Sequence, residues 1–287
     1  MRPRTRAALL FMNSLRCGRY LLDLSQPRIM GIVNLTDDSF SGDGLHGDIC
    51  RAIDQGLRMV EEGADMLDIG AESTRPGAEP VTAVQELERL LPVLEGLGAC
   101  GVPLSVDTLK PEVMRAALAA GADLINDVAA LGGEGAVEAV AASAAAVCLM
   151  HMQGEPRTMQ QSPVYGDVVA EVREFLAARV AACEATGIGR ERILIDPGFG
   201  FGKSVAHNYA LLRRLKEFSP LGLPLLAGLS RKSMLGAVTG RIAPDRVYAS
   251  VAAAVLAVER GARIVRVHDV AATRDGLAVW NAMENQQ

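Results

Sequence analysis

Arg192-Ile-Leu-Ile-Asp-Pro-Gly-Phe-Gly-Phe-Gly-Lys203 is the stretch from which the fold can be read. Ile193, Leu194 and Ile195 form a short apolar run that stops at a carboxylate, Asp196. Pro197 cannot continue a central strand, and Gly198, Gly200 and Gly202 allow backbone angles that other residues avoid. The stretch therefore predicts a buried strand, an acid at its C-terminal end and a turn into a helix. An acid where a buried strand emerges is costly unless something pairs with it. Taken alone, the junction also reads as a plain strand–turn–helix with a capping acid. Two nucleotide-binding patterns are excluded. A P-loop needs glycine where Pro197 stands, and the dinucleotide fingerprint needs glycine where Lys203 stands. The loop amides remain free to face some other ligand.

The same pattern recurs outward in both directions. Ile29–Val33 ends at Asn34, Met66–Ile69 runs into the loop GAESTRPGAEP, and Pro103–Val106 ends at Asp107. Leu124-Ile125 ends at Asn126, Ala145–Met150 at His151, Pro224–Ala227 near Ser230, and Ile264–Val267 at His268. Helical segments are expected between them: Asp48 to Glu62, Thr82 to Leu97, Pro111 to Gly121, Gly135 to Ala142, Val164 to Thr186, Asn208 to Phe218, Met234 to Glu259, and a last one to Met283. Strand–helix units repeating at roughly 33 residues imply a parallel sheet. Eight of them close into an α/β fold of the (β/α)8 TIM-barrel type, with ligand groups at the C-terminal strand ends. An open doubly wound sheet is the alternative. Arg16 to Leu24 predicts a short N-terminal hairpin or lid. We expect residues 1–14 to be a flexible extension, with Met12 as a possible true start, and residues 15–287 to form a single barrel domain.

The chain has 287 residues, 49% of them hydrophobic, which is ample for one large core. A net charge of −5 gives no whole-surface attraction to nucleic acid or acidic membranes. Cys17, Cys50, Cys100, Cys148 and Cys183 are scattered with no CxxC pair, which suits a reducing compartment and argues against a disulfide framework or a zinc site. No apolar run approaches the ~20 residues of a membrane span.

If the barrel closes, Asn34, Asp107, Asn126, Asp196, Lys232, Arg266 and His268 meet on one rim. A carboxylate can accept two parallel N–H bonds, as from an amino-pyrimidine edge. Arg266 and His268 lie two apart on one strand, and with Arg75 they suit a phosphate or diphosphate. Asn34 offers one neutral oxygen to a Mg²⁺ otherwise held by phosphate and water. Singly, each has a plainer reading: Arg266 paired with Asp269, His268 a satisfied interior histidine, the acids helix caps.

MGIVNLTDDSF (Met30–Phe40), AESTRPG (Ala71–Gly77), SVDTLKPEV, LINDV, VCLMHMQGEPRTMQ, LIDPGFGFGK, GLSRKS (Gly228–Ser233) and RVHDV (Arg266–Val270) together resemble the dihydropteroate synthase family, from about residue 17 to residue 280. The resemblance implies a (β/α)8 enzyme of folate synthesis. It would join dihydropterin diphosphate to 4-aminobenzoate with Mg²⁺ present, be a sulfonamide target, and act as a cytoplasmic homodimer. It implies that Asp196, Asn126 and Lys232 hold the pterin ring with Asp107 beside its reacting side. Arg266 and His268 would grip the diphosphate and Asn34 would ligate Mg²⁺. Thr74 and Arg75 would lie in a mobile second loop, and Phe40, Phe201, Lys232 and Ser233 would shape the aminobenzoate pocket. The implied catalytic set is Asp107, Lys232, Arg266 and His268. The implied chemistry is departure of diphosphate followed by attack of the amine.

The sequence departs from the family pattern in two places. Asp37 stands where proline is usual, and Ser41-Gly42-Asp43-Gly44 reorders the usual Ser-Asp-Gly-Gly. Ala71 in place of glycine is a smaller change. Two other readings stay open. A phosphate-binding barrel aldolase would use Lys232 as its Schiff-base lysine. A non-catalytic pterin-binding module would keep the ring pocket without the anion grip.

Overall fold

The structure is a computed structural model that describes residues 13–36, 48–72, 81–154, 158–161 and 163–284. Eight parallel strands form one sheet in the order β8-β7-β6-β5-β4-β3-β10-β9. They are β3 (Arg28–Asn34), β4 (Met66–Gly70), β5 (Leu104–Asp107), β6 (Leu124–Asp127), β7 (Ala146–Met150), β8 (Ile193–Asp196), β9 (Leu226–Ala227) and β10 (Ile264–Val267). A bridge between Ile195 of β8 and Leu225, just ahead of β9, brings the two ends of the sheet together. The alternating order is that of a (β/α)8 barrel, and the open-sheet alternative is set aside.

Strand residues alternate between two environments because successive side chains point to opposite faces. Ile29, Leu67, Val106, Ile125, Val147, Ile193 and Val265 pack outward against the helices. Met30, Met66, Leu124, Ala146, Leu194, Leu226 and Ile264 fill the barrel interior. Burial on both faces is why the strands read as unbroken apolar runs.

The N-terminal hairpin, β1 (Ser14–Cys17) with β2 (Tyr20–Asp23), pairs antiparallel. It is not a lid over the rim. Leu15, Cys17 and Leu24 join the interior cluster, and the Cys17 thiol faces the carbonyl of Asp123, just ahead of β6, at 3.4 Å. The hairpin therefore plugs the N-terminal mouth and leaves the C-terminal end as the open one.

The helices are α1 (Ile49–Glu61), α2 (Ala83–Leu97), α3 (Pro111–Ala119), α4 (Ala136–Ala141), α5 (Val168–Ala185), α6 (Val205–Arg213), α7 (Ser233–Thr239), α8 (Val247–Glu259) and α9 (Val270–Glu284). Asp48 caps α1 as expected, accepting from the Arg51 amide. Two helices differ from expectation. The one expected from Val164 starts at Val168, because Asp167 accepts from the amides of Val169 and Ala170 and fixes the first turn there. The one expected over Asn208–Phe218 starts earlier, behind a Ser204–His207 capping box, and gives way to a 3₁₀ stretch, Leu215–Leu221, that contains Pro220.

Candidate active site

Along the barrel axis the interior changes character. Above the apolar layer, the next inward-facing positions are Asp68 on β4, Ser105 and Asp107 on β5, Asn126 on β6, Asp196 on β8 and Arg266 on β10. Arg266 is the hub. Its Nε donates to Asp68 Oδ2 at 2.5 Å and its Nη2 to Asp107 Oδ2 at 2.9 Å. Asp68 is fully buried and also accepts from Ser105 Oγ at 2.5 Å and Asn126 Nδ2 at 3.1 Å. Two carboxylates on one guanidinium hold its plane fixed, and the nearby charges reinforce its cationic form. Asp269 takes no part in this: it pairs with Arg231 at 2.5 Å.

Sequence reasoning missed Asp68. It sits inside a strand rather than at its end. Its signal was parity: an acid two residues from Met66 in an apolar run must share the face of Met66, the interior.

Asp196 lies on the same opening. Its Oδ1 accepts the Gly198 amide at 2.7 Å. A Cβ built on Gly228 would lie 3.9 Å from Asp196 Oδ2, 3.9 Å from Arg266 Cβ and 4.0 Å from Lys232 Nζ, so the three side chains border one space beside Gly228. Burial pushes the Asp196 carboxyl up, and Lys232 is the largest opposing influence. Burial likewise pushes Lys232 down to about 8, with Asp196 holding it back. The Lys232 ammonium donates to the Phe199 carbonyl and sits 4.7 Å from the centre of the Phe201 ring. Ser233 is exposed at the start of α7. The loop amides are largely committed within the protein: that of Gly198 to Asp196, and that of Gly200 to Asn208 Oδ1 at 2.7 Å.

His268 stands apart from the carboxylate network. Its Nδ1 is 2.8 Å from Ser230 Oγ, and its ring lines a cleft of about 260 Å³ with Arg51, Asp54, Gln55, Arg58, Met59 and Glu62. Asn34 Oδ1 accepts from the Thr36 amide at 3.2 Å and the Thr36 hydroxyl at 2.8 Å. No cluster of three His, Cys, Asp or Glu suited to a metal occurs among the described residues. Asn34 would offer a cation carried mostly by other oxygens at most one neutral ligand, and only in exchange for a Thr36 contact. Such reliance on other oxygens is the usual habit of Mg²⁺ on phosphates. Phe40, Thr74 and Arg75, and the departures at Asp37 and Ser41–Gly44, lie outside the described residues.

Burial raises the Asp107 carboxyl toward neutrality, against the opposing charge of Arg266 and with Asp68 adding to the rise. The folded chain thus holds this proton at a pH where the unfolded chain has lost it. Asp107 costs stability once ionised, and that cost fades as pH falls through its folded pKa toward the ordinary carboxylate range. We expect wild-type thermal stability, relative to Asp107→Asn, to rise as pH is lowered from neutrality. Parallel curves for the two proteins would contradict the assignment.

These features define a (β/α)8 barrel whose C-terminal mouth gathers buried carboxylates, an amide, a lysine and a fixed guanidinium around one opening. Comparison with known proteins gives the finer class. The family model described as "Pterin binding enzyme" matches residues 30–268. The dihydropteroate synthase of Neisseria meningitidis serogroup B is 53% identical over 275 residues, covering 93% of this chain and 96% of that protein. The structure of Burkholderia cenocepacia dihydropteroate synthase complexed with 7,8-dihydropteroate is 54% identical with a TM-score of 0.86, covering 94% of this chain and 96% of that one. The structure of Xanthomonas albilineans dihydropteroate synthase with 4-aminobenzoic acid is 54% identical with a TM-score of 0.89, covering 96% and 100%. The chain belongs to the pterin-binding enzymes and, within them, to the dihydropteroate synthases, which are transferases. The aldolase and non-catalytic readings are set aside.

Proposed function

We propose that this chain condenses (7,8-dihydropterin-6-yl)methyl diphosphate with 4-aminobenzoate in the space above Gly228, giving 7,8-dihydropteroate and diphosphate. The observation that carries the reading is the shared border of that space. Asp196 Oδ2, the Lys232 ammonium and the Arg266 Cβ lie around one point, and from there the Arg266 guanidinium reaches Asp68 and Asp107, so an acceptor for the ring and a cation for the diphosphate border one opening. Asp196 accepts the ring's amino and N–H groups, Asn126 and Lys232 complete the ring contacts, and Asp107 flanks the reacting methylene. Arg266 faces the diphosphate, and His268 would meet it from the neighbouring cleft beside α1, where its ring is turned toward Ser230. Phe201, Lys232 and Ser233 border the arylamine, where sulfonamides would compete.

The C–O bond to diphosphate breaks first, and its electron pair leaves with the phosphate oxygen. Arg266 meets the charge that grows there, already aligned by Asp68 and Asp107, so little reorganisation is needed. Asp107 and Asp196, in their ionised forms, steady the pterin-methylene cation. The arylamine lone pair then forms the C–N bond, and its extra proton passes to the leaving group or water. The amine is neutral at pH 7, so no strong base is required. Mg²⁺, when bound with Asn34 among its ligands, supplies further charge neutralisation to the phosphate oxygens.

A homodimer belongs to this reading. Ala252, Val255, Leu256, Gly276, Val279, Trp280 and Met283 line an apolar groove between α8 and α9 that a second copy would cover. A reducing, cytoplasmic setting is supported by five cysteines that are all free. No described helix is long and apolar enough to cross a membrane.

The test is diphosphate release from dihydropterin diphosphate and Mg²⁺, with and without 4-aminobenzoate. Release is expected to follow the amine, with dihydropteroate formed in equal amount. Release that ignores the amine would overturn the reading.

A further inference from the structure

Lys203 closes the Gly-Phe-Gly-Phe-Gly-Lys turn and is only 2% exposed, yet it forms no ion pair among the described residues. Its ammonium instead reaches His151 Nδ1 at 2.9 Å, the His151 carbonyl at 3.2 Å and the Phe201 carbonyl at 2.9 Å. Three donors meet three acceptors, so nothing is left for solvent or substrate. Nδ1 must present its lone pair to the ammonium, which puts the His151 proton on Nε2. Burial, with Lys203 beside it, pushes His151 down to about 3, consistent with a neutral ring.

Burial pushes Lys203 down to about 7, with Asp196 opposing, so burying this amine without a touching carboxylate is an expensive way to fill space that an apolar side chain would fill at lower cost. What the lysine adds is a tie. Other fastenings reach the turn's backbone from α6, from the segment before α5 and from Lys232: Asn208 takes the Gly200 amide and holds the Lys203 carbonyl, Gln160 donates to the Gly200 carbonyl, the Tyr165 hydroxyl donates to the Gly202 carbonyl, and Lys232 donates to the Phe199 carbonyl. Lys203 joins the Phe201 carbonyl directly to the end of β7. Phe201 carries the ring beneath the Lys232 ammonium, and Phe199 carries the carbonyl that the same ammonium holds.

We propose that Lys203 is a positioning residue that locks the Gly198–Lys203 turn to His151 and so sets the Phe199 carbonyl and the Phe201 ring that Lys232 and the arylamine rest against. The inference rests on the arylamine pocket given above. Its effect falls on the amine and not on the pterin for a structural reason. Asp196, the pterin acceptor, has its backbone held by the sheet, its carbonyl taking the His151 amide at 3.1 Å, and its side chain touches the turn only at Gly198, the end nearest the strand and farthest from Lys203.

The experiment compares Lys203→Met with wild type under conditions where Asp196 is ionised, reading both KM values, kcat, the thermal midpoint and calorimetric binding of 4-aminobenzoate. The expected result is a rise of about tenfold or more in KM for 4-aminobenzoate, with KM for the pterin diphosphate changed less than about threefold, as for a misplaced contact surface. A folded Lys203→Met with an unchanged aminobenzoate KM overturns the proposal, and so do two KM values that rise together. If Lys203→Met does not fold, His151→Leu removes one of the three acceptors and His151→Asn keeps an acceptor near Nδ1. Leu must then raise the aminobenzoate KM and Asn must restore it; equal constants overturn the proposal. Wild-type turnover is the control, because its absence would count against the assigned reaction and not against Lys203.

Discussion

Arg266→Ala is expected to lower kcat/KM by about a thousandfold, near the upper end of what losing one preorganised charge-stabilising donor costs in a closed site. Two effects combine. The variant loses the cation that meets the departing diphosphate, and it releases Asp107, whose position depends on the Arg266 Nη2 contact. It also leaves the fully buried Asp68 beside Asp107 without their shared counter-charge. Removing one partner of such a buried group typically costs about 3–5 kcal/mol of stability. Arg266→Lys should recover only part of the activity, because one ammonium cannot span Asp68 and Asp107 as Nε and Nη2 do. Asp68→Asn added to Arg266→Ala should restore stability without restoring turnover, which separates the two effects. Steady-state kinetics and thermal denaturation on the three proteins check this. Turnover of Arg266→Ala within a few-fold of wild type would remove Arg266 from the chemistry.

Asp196→Asn should weaken binding of the pterin diphosphate by about a hundredfold or more, since a charge-assisted bidentate acceptor is replaced by an amide that presents one donor and one acceptor. The fold should survive, because an amide oxygen still accepts the Gly198 amide where Oδ1 does now. Lys232 loses the charge that chiefly opposes its desolvation and is pushed further down. The wild-type pH dependence gives a second reading of the same residue. Burial raises the Asp196 carboxyl, so its protonated fraction grows as pH falls and pterin affinity should decline on the acid side. Asp196→Asn should lack that acid limb. Calorimetric titration of the pterin substrate across pH checks both points, and an acid limb that persists in the variant would assign it to another group.

Much of this geometry was legible in the sequence because a parallel barrel strand is buried on both faces. Apolar runs such as Ile193–Ile195 stop abruptly, and the polar residue at the stop falls at the mouth. Asn126 and Asp196 were found that way, whereas Arg266, inside its strand, was picked out by its place two residues from His268. The same habit hid what does not punctuate. Asp68 interrupts its strand from within and shows itself only through side-chain parity with Met66. Lys203 looked like part of a glycine loop, and its use as an internal tie depends on His151, fifty-two positions away in the chain. The hairpin at Ser14–Asp23 was visible as a hairpin, but which mouth it covers depends on where Leu15, Cys17 and Leu24 find apolar company. His268 ends the strand as read, yet it turns toward Ser230 and α1, a placement that follows from packing and not from spacing.

The most direct test is a crystal structure of the chain with dihydropterin diphosphate and Mg²⁺. The account expects the ring's amino edge on the Asp196 carboxylate and the phosphorus atoms beside Arg266 within the same opening above Gly228. Ring density away from Asp196, or ring and phosphates in separate cavities, would contradict it.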